Sequence, residues 1–356
     1  MTVTKSIGID YIWIDSLCII QDDPADWINE SALMGEIYET AWMTIVASNA
    51  KDANEGLFID RPELYPSLEL PYLDINGEQH GSYFMDFSRE YLGHENGARQ
   101  EGPLFRRAWV TQEWLLSRRA VYYTKELMVW LCKTVQISEK GFLRPDMAER
   151  FGSAIQWTPL IEYHSAKDLT YETDRLVSLS GICREMAKIK PDDEYHWGIW
   201  KSEIHWNLLW RRSDGSVGIK SDNPLNAPSW SWASVLGHVK FWNGYHDPTG
   251  NIKIDFSDRV ITLYDAYVIE LPTLEAFKEI ERKWWFVLDM GNQDIASNWT
   301  PIFCVELGPA GYMMVTPVTL DSETSFRRIG LGVFCQGVDR NSTLSVHWPK
   351  RTIRVI

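Results

Sequence analysis

The stretch from residue 11 to residue 47 constrains the fold more than any other part of the chain. Tyr11-Ile12-Trp13-Ile14 is a short, continuous apolar run closed by Asp15, the pattern of a strand buried on both faces. Asp22-Asp23-Pro24 follows, a capping acid ahead of proline at the first helical position, and predicts a helix to about Thr40. Trp42 to Ala47 then reads as a second strand. Strand, helix, strand in this order predicts a parallel pair joined by a right-handed crossover. Tyr11–Ile14 and Trp42–Ala47 are therefore expected as parallel neighbours in an α/β layer.

Further along, Asn76-Gly77 separates Leu70–Ile75 from Ser82–Phe87 and predicts a hairpin. Pro71 puts its first strand at a sheet edge. Residues 50–66 are rich in turn formers. Pro103 to Leu116 reads as a second helix, followed by strands at Ala120–Tyr123 and Leu127–Leu131. Helices are expected near 155–164, 174–189 and 196–210. Beyond about residue 228 the pattern changes to short strands at Lys240–Trp242, Val260–Glu270, Trp284–Asp289, Ile302–Glu306, Tyr312–Pro317, Gly330–Phe334 and Thr352–Ile356. The expected organisation is an α/β domain with a parallel sheet over 1–135, a helical segment over 136–235 and a β-rich region over 236–356.

Composition narrows the function. At 356 residues the chain exceeds one ordinary domain. Its 49 Asp and Glu against 35 Lys and Arg give a net charge of -14, which disfavours general binding to nucleic acid or to anionic lipid. Five cysteines (Cys18, Cys132, Cys183, Cys304 and Cys335) form no CxxC pair, and the eight histidines form no HExxH. Neither a disulfide framework nor a zinc site is expected, and no metal or resident cofactor is. No apolar run reaches a membrane span, and Asp10 and Asp15 interrupt the one candidate leader core. A cytoplasmic protein is the expectation. The 18 Trp point to aromatic-walled clefts or broad interfaces, although the run Trp197, Trp200, Trp206 and Trp210 suits a core.

Candidate site residues are polar groups on apolar faces. At about 100° per residue, Trp27, Met34, Ile37, Tyr38 and Ala41 share a stripe that also holds Glu30. A carboxylate facing a core is paired, protonated or given a task. Glu30 thus either answers a distant Arg or Lys or carries chemistry. Gln112 and Glu113 intrude in the same way on the face of Phe105, Trp109 and Leu116, with Arg118 and Arg119 as partners for Glu113 if it is structural. Asp15 ends the first strand, where parallel sheets gather ligand groups, or else caps the next turn. Cys18, with no His nearby, fits a small buried residue better than a nucleophile.

The ordered run Tyr11-Ile12-Trp13-Ile14-Asp15-Ser16-Leu17-Cys18-Ile19-Ile20-Gln21-Asp22 resembles the hallmark of the fungal heterokaryon incompatibility (HET) domain. Trp27, Glu30, Met34, Ile37-Tyr38, Ala41 and Thr44-Ile45-Val46-Ala47 continue the resemblance. Arg107-Ala108-Trp109-Val110-Thr111-Gln112-Glu113 is similar to that domain's closing block, with Ala108 where the family usually has Gly. Leu169-Thr170-Tyr171, Gly198-Ile199-Trp200 and Ala227-Pro228-Ser229-Trp230-Ser231-Trp232-Ala233 resemble later parts of HET proteins. The family normally has a strand and a helix before Tyr11–Ile14. Thr2–Gly8 resembles only that helix's last turns, which implies a shortened form with an open sheet edge.

The resemblance implies an effector of cell death in fungal non-self recognition, remotely similar to Toll/interleukin-1-receptor-like (TIR) domains. Some of those cleave NAD with a helical glutamate. That implies Glu30 as the catalytic carboxylate and Asp15, Cys18, Gln21, Trp109, Gln112 and Glu113 as substrate-binding residues, with NAD as substrate. A second reading is a non-catalytic module that signals by assembly with itself or with other incompatibility proteins. A third is a glycoside-acting enzyme with Glu30 and Glu113 as its acid pair.

Overall fold

The computed structural model describes residues 1–52, 54–58, 68–85, 102–125, 127–132, 134–139, 143–144, 156–213, 223, 225–242, 252–281, 284–289, 300–308, 311–318, 325–334 and 349–356. Part of the turn-rich stretch before residue 67, the Asp86-Phe87 end of the second hairpin strand and Cys335 lie outside the described residues. The chain divides into two compact units, Met1–Ile155 and Gln156–Ile356.

In the first unit, helix Pro24–Thr40 starts where Asp23 accepts hydrogen bonds from the backbone N–H of Ala25 and Asp26. Such a cap satisfies donors that have no partner within the helix. It ends as Thr40 turns its hydroxyl back to the Glu36 carbonyl at 2.7 Å and Ala41 leaves helical geometry. The hairpin at Asn76-Gly77 is present as Leu68–Leu73 paired antiparallel with Gln79–Met85, Pro71 lying opposite Ser82.

Tyr11–Ile14 is not a strand. None of the described residues pairs with it, Tyr11 is 89% exposed, and the chain passes directly into a short helix, Asp15–Cys18. An apolar run becomes a strand only where a neighbour supplies ladder hydrogen bonds. The parallel pairing exists one step later in the chain. Thr44–Val46 lies parallel to Arg119–Tyr123, with Thr44 opposite Ala120 and Val46 opposite Tyr122. The sheet then continues antiparallel through Met128–Cys132, Gln136–Ser138 and Leu143–Arg144. The expected α/β layer is there, with a different strand beside Thr44–Val46.

The helix expected over Pro103–Leu116 is divided into a 3-10 turn, Pro103–Arg106, and an α-helix, Val110–Leu116. Arg107, extended at φ -78° and ψ 131°, separates them. Gly102 precedes the turn at φ +118° and abuts the Ser48 carbonyl so closely that a side chain there would collide with it. That approach sets the turn beside the end of the parallel strand. Val46, Phe105, Val110, Ala120, Tyr122, Leu127, Val129 and Leu131 form the core between them.

In the second unit, helix Trp157–Ser165 falls where expected, and the stretch expected as one helix over 174–189 is two, Asp174–Val177 and Ser180–Ile189. Residues 196–210 are not one helix. Tyr195–His196 and Ile199–Trp200 form a small hairpin, followed by a 3-10 turn, the short helix Ile204–Asn207 and strand Trp210–Arg212. Trp197 and Gly198 take φ values of +48° and +88°, which closes the two-residue turn and stops any helix.

Beyond residue 236 the described residues are mostly strands, with a strand Lys253–Ser257 and a helix Leu274–Glu281 besides those expected. Val260–Leu271 pairs with Ile302–Gly308, which pairs with Gly311–Pro317, which pairs with Phe326–Phe334. Lys350–Val355 pairs with both Phe326–Phe334 and Val260–Leu271, so the pairings close into a ring of five strands. A bulge between Leu263 and Ala266, with Asp265 at φ +53°, bends the longest strand so that it can serve two neighbours on one side.

The tryptophans correct the expectation of aromatic clefts. Trp157, Trp200, Trp210, Trp230 and Trp232 are among the largest fully buried side chains. Trp157 and Trp232 both donate their indole N–H to the Gly198 carbonyl, at 2.8 and 2.9 Å. Trp210 donates to the Trp230 carbonyl at 2.9 Å, and Trp230 to that of Arg259 at 3.1 Å. Buried indoles need such acceptors, and irregular backbone provides them here.

Candidate functional site

Helix Pro24–Thr40 packs against helix Val110–Leu116. Tyr38 lies at their contact and donates its hydroxyl to the Glu113 carboxylate. Burial pushes the Tyr38 phenol far above its ordinary pKa, with the negative charges of Glu113 and Asp15 adding to the rise and Arg107 opposing it. The phenol therefore stays neutral and acts as a donor. Trp13 meets the Tyr38 ring edge-on at 5.9 Å.

Asp15 stands at the start of its short helix. One carboxylate oxygen accepts the Ser16 N–H at 2.7 Å, and the other lies 3.6 Å from an Arg107 guanidinium nitrogen. Both side chains remain well exposed, at 40% and 55%, so water screens the pair. Asp15, Tyr38, Arg107 and Glu113 are thus brought together from four separate places in the first 113 residues. Beside them Trp27 and Trp109 meet perpendicular to one another at 6.4 Å.

The remaining candidates are dispersed. Glu30 is half-buried and makes no hydrogen bond or ion pair with any described residue. It lies eight residues before Tyr38, about 12 Å along the helix axis and about 80° around it. Gln21 is exposed and donates to the carbonyls of Asp15 and Ile19 at 3.2 and 3.1 Å, which holds the turn closed. Cys18 is exposed, not the small buried residue expected. Gln112 is fully buried inside the unit. The cations expected to answer Glu113 are engaged elsewhere: Arg118 binds Glu39 at 2.7 Å, and Arg119 stacks over the Trp42 ring at 5.6 Å.

Tyr38 and Arg107 were not singled out as site residues by their positions in the chain. The signal for Tyr38 is its place on the Glu30 stripe, where a phenol ends an otherwise apolar row. Arg107 lies in the extended step between two helical pieces, which sequence periodicity does not reveal.

Among the described residues, Asp74, Glu78 and His80 place ligand atoms within 4.8 Å of one another. Asp74 closes its hairpin turn, accepting the backbone N–H of Glu78 and of Asn76, each at 2.8 Å. The Glu78 hydrogen bond, followed by those from Asn76 and His80, holds its carboxyl below the usual range.

Residues 1–113 match the family model of the Heterokaryon incompatibility protein (HET). The matched part contains all four residues of the cluster as well as Glu30. No curated protein and no solved structure matches the chain. Among the described residues, no helix is long and apolar enough to cross a membrane.

Proposed function

We propose that this protein is a cytoplasmic cell-death effector of fungal non-self recognition whose HET domain cleaves an NAD-type nucleotide. The observation that carries the reading is Glu30, a half-buried carboxylate with no described partner, one helical turn from the Trp27–Trp109 pair. In this reading water replaces nicotinamide at the ribose carbon, giving ADP-ribose, nicotinamide and a proton. Glu30 faces the positive charge that develops on the ribose as the glycosidic bond breaks. The half-buried indoles of Trp27 and Trp109, set at right angles, offer apolar surface for a ring. Asp15, held by Arg107, and Glu113, held by Tyr38, set the negative field around it.

Glu30→Gln tests this directly. The variant is expected to melt like the parent, to lose killing in a fungal cell-death assay and to leave NAD intact by chromatography. A folded Glu30→Gln protein that kills fully would end the catalytic reading. It would favour the second one, signalling by assembly, which is supported by exposed Leu17, Ile20 and Ile28 in the same domain.

A further inference from the structure

The hairpin of Leu68–Leu73 and Gln79–Met85 has little to hold it. Among the described residues neither strand pairs with a third, and Tyr72, Leu73, Ile75 and Tyr83 are exposed. A two-stranded hairpin of this kind is marginal in water and gains from a clip between its strands. Its turn carries the parts of one. The chain reads Asp74-Ile75-Asn76-Gly77-Glu78-Gln79-His80, and the Asp74 N–H donates to the Glu78 carbonyl at 2.9 Å, which sets these two residues opposite each other. The ladder shifts register between the Tyr72–Gly81 and Leu73–Gln79 pairs, so His80 is the extra residue of a bulge. A bulge re-aims a side chain, and here the imidazole Nε2 comes to 3.2 Å from Asp74 Oδ2.

Two carboxylates and an imidazole thus hold ligand atoms within 4.8 Å of one another, drawn from both sides of the turn. Asp74 Oδ1 accepts the backbone N–H groups of Asn76 and Glu78, which fixes the carboxylate. Its Oδ2 meets the His80 ring and, at 3.4 Å, the Asn76 amide. As a bare ion pair His80 and Asp74 would contribute little, because their side chains are 52% and 26% exposed. We infer that Asp74, Glu78 and His80 bind a divalent transition metal of the zinc class, which clips the two strands together. Zinc takes mixed nitrogen and oxygen ligands in tetrahedral geometry at about 2 Å, which places ligand atoms about 3.3 Å apart. Asp74 and His80 already meet that spacing, and exposed Glu78 reaches it by a change of rotamer. The imidazole disfavours calcium and magnesium, which take oxygen shells. No CxxC or HExxH spacing marks the site, because a hairpin turn assembles it. It shares no residue with Asp15, Tyr38, Arg107, Glu113 or Glu30, and it does not depend on their chemistry.

The probe is zinc chloride, titrated calorimetrically into the full chain after treatment with a chelator. The parent should bind zinc in the micromolar range. His80→Ala and Glu78→Gln should each weaken that binding by about tenfold or more, with metal-free melting temperatures equal to the parent's. Asp74 is left unchanged because it also closes the turn. Chymotrypsin cleavage after Tyr72 and Tyr83 should slow when zinc is added to the parent, and not when it is added to His80→Ala. Calcium or magnesium at the same concentration should give no protection. Equal zinc affinity in the parent and His80→Ala would overturn the assignment, as would binding that appears only at millimolar zinc. So would zinc binding that leaves cleavage unchanged, or protection by calcium equal to that by zinc.

Discussion

The hydroxyl of Tyr38 donates to the carboxylate of Glu113 and so ties helix Pro24–Thr40 to helix Val110–Leu116. These residues are 75 positions apart in the chain, and the tie closes the match region at its last residue. Asp15 and Arg107 make a second link between the same parts of the unit, at 3.6 Å and well exposed. A buried phenol donating to a carboxylate is the stronger of the two, because less water competes for it.

Tyr38→Phe should therefore lower the unfolding free energy by about 1–2 kcal/mol, the worth of a hydrogen bond to a charged acceptor. Glu113→Gln should cost less, since the amide oxygen still accepts. A double-mutant cycle in urea is expected to give a coupling near 1 kcal/mol. A coupling of zero would mean that the two helices are held by packing alone. If the proposed chemistry is right, Glu113→Gln also weakens killing without abolishing it.

Gly198 is the most constrained position of the second unit. It sits at φ +88°, its carbonyl accepts two indole N–H groups, and a Cβ there would collide with the Trp232 indole nitrogen. Gly198→Ala combines a left-handed backbone penalty with overpacking, a loss of about 2–4 kcal/mol. Near-ultraviolet circular dichroism should report it, because the displaced indoles dominate that signal. An unchanged tryptophan spectrum and melting temperature would show that the turn relaxes without cost.

The same turn explains what periodicity could and could not reveal. Local signals were legible: Asp23 caps the helix it precedes, Asn76-Gly77 turns its hairpin, and the alternating strands after residue 250 pair as their pattern predicts. Residues 196–210 have helical spacing, yet Ser231 from the APSWSWA stretch donates to the Trp197 carbonyl at 2.5 Å and helps hold the backbone in a left-handed turn. That partner is 34 residues away. Tyr11–Ile14 has strand composition without a ladder partner among the described residues. At the site, Asp15 stood out as the acid closing an apolar run and Glu113 as an acid on an apolar face, whereas Tyr38 and Arg107 became visible only when tertiary contacts brought them to those acids. What a residue is could be read locally; what it meets could not.

Arg328 and Asp289 make a buried ion pair at 2.9 Å, with side chains 0% and 7% exposed. The guanidinium also donates to the carbonyls of Leu208 and Trp210, each at 2.5 Å, and stacks on the Trp210 ring at 3.8 Å. Asp289→Asn removes the countercharge from a cation that stays buried, which costs about 3–5 kcal/mol. Replacing both residues with apolar ones of similar size, Arg328→Met with Asp289→Leu, should recover much of that loss. Chemical unfolding of the single and double variants checks it; a double variant less stable than Asp289→Asn would show that the carbonyl contacts of Arg328 outweigh the charge pairing.

Glu306 provides a test by pH. It lies on strand Ile302–Gly308 opposite Tyr312, and burial pushes its carboxyl up to about 7 from an ordinary 4.5. For an acid whose folded pKa is raised, the folded state holds the proton over a range where the unfolded state has released it. Stability therefore falls as pH rises from about 4.5 to about 7, and stays reduced above that. The shift corresponds to about 1–2 kcal/mol after discounting for the part of the carboxyl that still meets water. Glu306→Gln carries no such penalty. Its melting temperature should match the parent's near pH 4.5 and exceed it by a few degrees at pH 8. Thermal unfolding of both proteins across this range decides the matter: a constant difference at every pH would mean that Glu306 does not titrate in the folded strand.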